Sequence, residues 1–313
     1  MPRKVIIDCD PGIGDAIALC MAFFDPRLEV VAVTAAAGNV PAHQASLNVQ
    51  TVMDQLDPPR YPRVGAASPP DAPPEVDYRK LHGQDGLGNL GYPVSELRHR
   101  HPSEKIICDE ARSAPDRVTM ICLGPLTNLA RALQRDPDLP AVLDQVIISG
   151  GSVRGVGNVS PAAEFNMFYD PVSARAVFRT PLTKTLIPLD VTERVRLTLD
   201  LLDQLPSDST RAGQLLQGLA SFAFRAHRQH LGQESVFLHD VVTLTAALHP
   251  ELFEVEEMAG DVETQGDLTR GATVFDRRAN RRWMANMAVA TDIDVSAVTD
   301  CILRGLVAAG RNT

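Results

Sequence analysis

The sequence has no excess of positive charge, no long apolar run and no paired-cysteine spacing, and each absence removes a class of function. Thirty Lys and Arg stand against 39 Asp and Glu, a net charge of −9. A nucleic-acid surface needs a basic face, so no nucleic-acid partner is expected, and a negative field suits a bound cation. No window of about 18 uncharged apolar residues occurs, so no membrane span is expected. The start, MPRKVIIDCDPG, lacks the apolar stretch and cleavage site of a secretory leader. Cys9, Cys20, Cys108, Cys122 and Cys301 are odd in number and never spaced as CxxC. Reduced, buried thiols of a cytoplasmic protein are therefore expected, not disulfides or zinc. There is no internal repeat and no clear second-domain boundary. The 313 residues, 44% of them hydrophobic, read as one domain spanning 1–313.

What is present is an alternation of apolar runs and longer helical patterns. Strands are expected at 5–7, 28–34, 118–123, 146–149 and 185–189. Helices are expected at about 15–24, 41–55, 103–113, 125–134 and 171–178. This order predicts an α/β fold: an open, mostly parallel central sheet with helices on both faces. Residues 57–78 carry Pro58, Pro59, Pro62, Pro69, Pro70, Pro73 and Pro74 and read as a long connection. Beyond about 200 come helices near 198–231 and 240–248. A poorly periodic stretch, 253–290, with room for a few strands, follows, and then a final helix at 294–309.

Asp10 and Asp15 stand five apart in VIIDCDPGIGDAIAL, where the first strand hands over to the first helix. In open α/β sheets the ligand crevice lies at the carboxyl ends of the strands. Side-chain oxygens at that place suit a hard cation such as Ca²⁺ or Mg²⁺. Each acid has an ordinary alternative. Asp15 would complement a helix N-terminus, and Asp8 and Asp10 would be solvated strand-end residues.

Further segments carry polar groups at comparable places. Gly38-Asn39 is by itself a turn signal. HGQDGLG at 82–88 is a Gly-rich loop that approaches something closely. GPLTNLA follows the third strand, with Pro125 at the first helical position and the Leu123 carbonyl free at the strand end. Asn158, Glu164 and Asn166 share a Gly-bounded loop, and amide plus carboxylate groups suit sugar hydroxyls. His239 and Asp240 open a helix. There Asp240 is an N-cap or a third metal carboxylate, and His239 has the side chain best suited to proton transfer near neutrality.

Taken in order, DCDPGIGDA, the GN after the second strand, GPLTN, AEFN and the HD pair near 240 resemble the nucleoside hydrolase family, its inosine–uridine-preferring group in particular. The resemblance runs over roughly residues 3 to 310. It implies a single α/β domain with a Rossmann-like core and hydrolysis of the N-glycosidic bond of ribonucleosides to base and ribose. It implies Ca²⁺ held by Asp10, Asp15, the Leu123 carbonyl and Asp240, with the ribose diol and one water completing a shell of about 6–8 oxygens. By the same resemblance Asp10 is the general base for that water and His239 assists the departing base. Asn158 and Glu164 hold the 5′-hydroxyl, and Asn166 holds the ring hydroxyls. Asn39 lies near the water, and His82 borders the pocket. The partner is a small nucleoside, and the assembly is a homo-oligomer, dimer or tetramer.

One position departs from the family. Two consecutive aspartates are usual after DPG and one residue, but here the first is Gly14, which cannot accept a ribose hydroxyl. Such a bond is worth roughly 1.5–3 kcal/mol. Three outcomes stay open: a slower enzyme, a ligand with a different 2′ or 3′ substituent, or another residue supplying the acceptor. A catalytically weak nucleoside- or ribose-binding protein with a retained metal site is the alternative. A haloacid-dehalogenase-like phosphatase, suggested by Asp8-x-Asp10, is disfavoured by Gly12 where Thr or Val belongs. With Trp283 as the only tryptophan, and His227, Arg228 and His230 where aromatics often line the family's pocket, a pyrimidine-leaning or nonspecific enzyme is expected.

Overall fold

The computed structural model describes residues 2–93, 98 and 101–313. Among these residues ten strands form: β1 (Arg3–Cys9), β2 (Leu28–Ala35), β3 (Arg63–Gly65), β4 (Val118–Cys122), β5 (Gln145–Ser149), β6 (Lys184–Ile187), β7 (Phe253–Met258), β8 (Gly260–Val262), β9 (Thr273–Phe275) and β10 (Met287–Ile293). Eight of them make one sheet in the order β3-β2-β1-β4-β5-β6-β10-β7, and β8 and β9 form a separate hairpin. All neighbours in the large sheet run parallel except β7, which pairs antiparallel with β10.

Parallel strands between helices bury both faces, and β1 shows why RKVIIDC does so. Val5, Ile7 and Cys9 enter one apolar cluster while Ile6 enters the other, the two-residue alternation of a strand. Helices Ile13–Phe24, Ala42–Leu56, Arg211–Leu231, His239–Leu248 and Val295–Arg311 cover the first face. Helices Ser103–Ser113, Thr127–Arg135 and Pro171–Phe178 cover the second. Every residue of the helix Ile13–Phe24 is buried.

Several local expectations shift. The proline-rich stretch contains β3, an edge strand admitted because Pro62 precedes it and needs no ladder bond. The helical stretch near 198–231 is two helices, Leu201–Gln204 and Arg211–Leu231, interrupted at Pro206, which offers no N–H. Pro188 ends β6, and a single helical turn, Leu189–Thr192, follows it. Pro125 lies outside the helix, which begins at Thr127 after Leu126. All five cysteines are buried and free.

The order β3-β2-β1-β4-β5-β6 places the reversal of connection between β1 and β4. The chain leaves β1 toward β2 and returns on the other side at β4. The loops therefore part at the carboxyl ends of these two strands and leave a crevice there. Asp10 and Leu123 are the first residues beyond those ends.

Candidate active site

Beyond β1 the chain turns through Asp10-Pro11-Gly12 into the helix at Ile13. Asp15 reaches back so that its Oδ2 accepts from the Gly12 N–H at 3.0 Å. The helix-capping reading of Asp15 is thus correct, and incomplete, because Asp15 Oδ1 is buried without a partner. Asp8 and Asp10 are not solvated: they are 0% and 1% exposed. Asp10 Oδ2 accepts from the Asn39 N–H at 2.7 Å. The Asn39 side-chain amide lies 3.2 Å from the Asp10 carbonyl and 3.3 Å from Asp15 Oδ2, tying the two acids together. Gly38 is more than a turn, since a Cβ there would overlap Asp10 Oδ2. Gly124 also stands close, its Cβ position 2.5 Å from Asp10 Oδ1.

The third acid arrives from the helix His239–Leu248. Asp240 makes no capping bond there. Its Oδ2 leans into the space above Gly14, so that any Cβ at residue 14 would overlap it. Burial raises the pKa of all three acids. For Asp10 and Asp240 it goes well above the ordinary carboxylate value, with the charge of Asp15 adding to each. Asp15 is raised to about 6 by its burial. Among the described residues no basic side chain offsets these charges. Nor do three His, Cys, Asp or Glu side chains close into a metal cage on their own among the described residues.

Asp8 sits two residues back, within β1 and on the face of Ile6. It accepts from Thr34 Oγ1 at 2.5 Å and from the Asn128 amide at 2.8 Å. Asn128 also donates to the Ala35 carbonyl at 2.8 Å. Burial pushes the Asp8 pKa up to about 7. This lock between β1, β2 and the helix after β4 gives Asn128 of GPLTN a place that its sequence spacing did not.

Asp10, Gly14, Asn39, His82, Leu123, Asn158, Glu164, Asn166, His239 and Asp240 all line one cavity of about 390 Å³. That volume falls in the roughly 300–1,000 Å³ range of small-molecule sites. Asn166 donates to the Leu123 carbonyl at 2.6 Å and to the Ser149 carbonyl at 3.2 Å. Leu123 is therefore not a free carbonyl: it keeps one lone pair, and Asn166 keeps its side-chain oxygen. Glu164 Oε2 accepts from the Gly151 and Met167 N–H groups at 3.0 and 3.2 Å. That leaves Oε1 for a ligand, and burial raises the Glu164 pKa to about 6. Asn158 Oδ1 accepts from the Phe165 N–H at 2.9 Å, which leaves its amide N–H₂.

His82 Nδ1 accepts from the Ile13 N–H at 3.0 Å, so the neutral ring carries its proton on Nε2. His239 Nδ1 lies 2.8 Å from Thr192 Oγ1, and the ring stacks on Phe237 with centroids 6.1 Å apart. Burial lowers both histidines to about 4, with His227 contributing to each. The loop 82–88 is tied to the first turn by Asn48, whose amide donates to the Pro11 and Asp85 carbonyls at 2.9 and 2.7 Å. Gly83, Gly86 and Gly88 there all have positive φ, as the tight course requires.

Tyr78, Phe165 and Phe237 supply the cavity's aromatic wall, and Tyr78 meets Phe165 edge-on at 4.6 Å. Trp283 lines a different cavity, beside Arg175, Arg179 and Asp261. The local pattern around these aromatics gave no signal of a pocket. Each lies in a short segment, and only the crossing of distant loops turns them inward.

Comparison with known proteins decides the family. The family model described as inosine-uridine preferring nucleoside hydrolase matches residues 5–300. The chain belongs to the inosine–uridine-preferring nucleoside hydrolase family. Uridine nucleosidase 1 of Arabidopsis thaliana is 32% identical, over 96% of this chain and 92% of that protein. The non-specific ribonucleoside hydrolase RihC of Shigella boydii is 35% identical, over 94% of this chain and 95% of its own length. A solved plant nucleoside hydrolase superposes with a TM-score of 0.90 at 29% identity, covering 98% of this chain and 99% of that one. This nucleoside hydrolase is thus an enzyme of N-glycosyl bonds acting on small-molecule nucleosides.

Proposed function

We propose that the enzyme cleaves ribonucleosides to free base and ribose with Ca²⁺ resident in the strand-end crevice, Asp10 as general base and His239 at the departing base. The observation that carries the reading is the meeting of Asp10, Asp15 and Asp240 in a buried place without a counter-charge, one oxygen of Asp15 having no partner. Buried carboxylates that repel one another are held together by a cation or by protons. An oxygen-only set suits Ca²⁺. Asp10, Asp15, Asp240 and the second lone pair of the Leu123 carbonyl would hold it. When bound, the ion acidifies water and fixes the ribose diol.

The rest is the work of the chain's own groups. Asp10, oriented by the Asn39 N–H, takes the proton of the attacking water. Glu164 Oε1, the Asn158 amide and the Asn166 side-chain oxygen hold the sugar hydroxyls, so much of the barrier is lowered by position. Cleavage builds positive charge on the ribose, as at other glycosyl centres, and the buried acids stabilise it. His239 is neutral at pH 7, so it assists by donating a hydrogen bond from Nε2, with Thr192 donating to Nδ1. Buried free thiols support a reducing compartment such as the cytoplasm.

The test is a panel of ribo- and deoxyribonucleosides assayed by base release, with added calcium and with chelator. Ribonucleoside cleavage that chelator abolishes and calcium restores is expected. Cleavage indifferent to chelator would overturn the calcium assignment, and binding without cleavage would leave a nucleoside-binding protein.

A further inference from the structure

Two polar side chains at the same cavity have no part in holding sugar or metal. His227 lies near the end of the helix Arg211–Leu231, and Gln233 just beyond it, and both line the crevice with His239. The backbone joins them, the Gln233 N–H donating to the His227 carbonyl at 3.3 Å. His227 Nδ1 lies 3.0 Å from the Ala223 carbonyl. A carbonyl only accepts, so Nδ1 carries the proton and Nε2 of the neutral ring is an acceptor. Among the described residues nothing donates to that nitrogen. Gln233 Oε1 is likewise an acceptor, buried and without a partner. Burial lowers the His227 pKa, against the raising effect of its bond to the Ala223 carbonyl, and so favours the neutral ring.

Two acceptors lacking a donor, at the cavity that takes a nucleoside, define what should complete them. We propose that His227 Nε2 and Gln233 Oε1 are the base-reading pair of this enzyme and select nucleobases that present N–H groups. The inference rests on the nucleoside reading above. Uracil, with its ring N–H, and hypoxanthine, with its N1–H, satisfy an acceptor that 3-methyluracil and unsubstituted purine leave unpaired. A buried acceptor left unpaired by the ligand is what a site built for hydrogen bonding discriminates against.

The experiment compares uridine with 3-methyluridine, and inosine with purine riboside, on the parent enzyme and on His227→Leu and Gln233→Leu. Base release gives kcat/KM, and calorimetry gives Kd for the same four ligands. The ratio within each pair, compared across variants, cancels differences in leaving-group chemistry. The expected result is a preference for the N–H-bearing member that shrinks about 3- to 10-fold in each variant, the size of one neutral hydrogen bond. Any change common to both members cancels in the ratio. An equal fall for both members would make the two residues mere wall and overturn the proposal, as would an unchanged ratio. If no nucleoside is cleaved, the hydrolase reading fails while calorimetry still decides this one. Should one variant fail to fold, the other position carries the test.

Discussion

The molecule treats its acids in two opposite ways. On the surface, acids sit against arginines. Asp136 meets Arg112 at 2.6 Å, and this contact lowers its pKa. Asp77 meets Arg79 at 2.7 Å, with the same effect. At the carboxyl ends of β1 and β4 the same residue type is gathered without a partner cation, and Asp8, Asp10, Asp15 and Asp240 are all raised by burial. Surface pairs of this kind contribute little, because water already solvates both charges. Burying unpaired acids costs stability, and a fold retains such a cluster for what binds there. Acids paired by the protein serve structure, and Asp10, Asp15 and Asp240, left without a counter-charge, are where we propose that a cation binds.

The strongest way to break this contrast is Asp10→Asn, which keeps the shape and removes the proposed general base. Base release is expected to fall about 10²- to 10⁴-fold, the usual contribution of a general base, read as kcat/KM with saturating calcium. Parent-like turnover would show that the leftover charge at Asp10 does no chemistry.

Gly14 sharpens the comparison by a smaller step. Its missing side chain is space that the Asp240 carboxylate occupies. Gly14→Ala should displace that carboxylate and lower kcat/KM by about 10-fold or more, the value of a charge-assisted hydrogen bond. Gly14→Asp, the pattern usual in the family, should do no better than Gly14→Ala. A gain with Gly14→Asp would mean that Asp240 does not fill the missing acceptor's place.

Smaller still is a pH effect on stability. Asp8 is raised from 3.8 to about 7, Asp15 from 3.8 to about 6 and Glu164 from 4.5 to about 6. A raised acid binds its proton more tightly when folded. It therefore contributes stability below the unfolded value and loses it as pH climbs through the folded one. In chelator the melting temperature should fall between about pH 4 and pH 7. Calcium, which favours the ionised acids, should flatten the upper part of that fall. A melting curve rising over this window would refute the picture. Smallest of all, Arg112→Ala should leave both turnover and melting temperature close to the parent's.

Asp10, Asp15 and Asp240 stood out in the sequence because five motifs in order resemble one family; alone, each segment read equally as a strand end, a turn or a helix cap. The parallel sheet was legible because apolar runs alternate with longer helical patterns. The edge strand β3 was hidden by prolines, which read locally as loop and are tolerated at an edge. The partnering of Leu123 with Asn166, of Asp8 with Asn128 and of Asp240 with Gly14 was not legible. Each joins residues far apart in the chain, and side-chain direction at long range is set by packing. His227 was noticed only as a departure from an aromatic pattern. Its ring orientation, which decides what it accepts, depends on one carbonyl a helical turn away.

β7 closes the sheet at one side, with Glu254, Glu256 and Glu257 exposed along its outer course. A bare strand edge invites another molecule to extend it. Three like charges on so short a ribbon repel a second copy before any ladder can form. Replacing them with neutral residues would leave the chemistry at the far strand ends intact and turn this border into a seed for fibrous stacking.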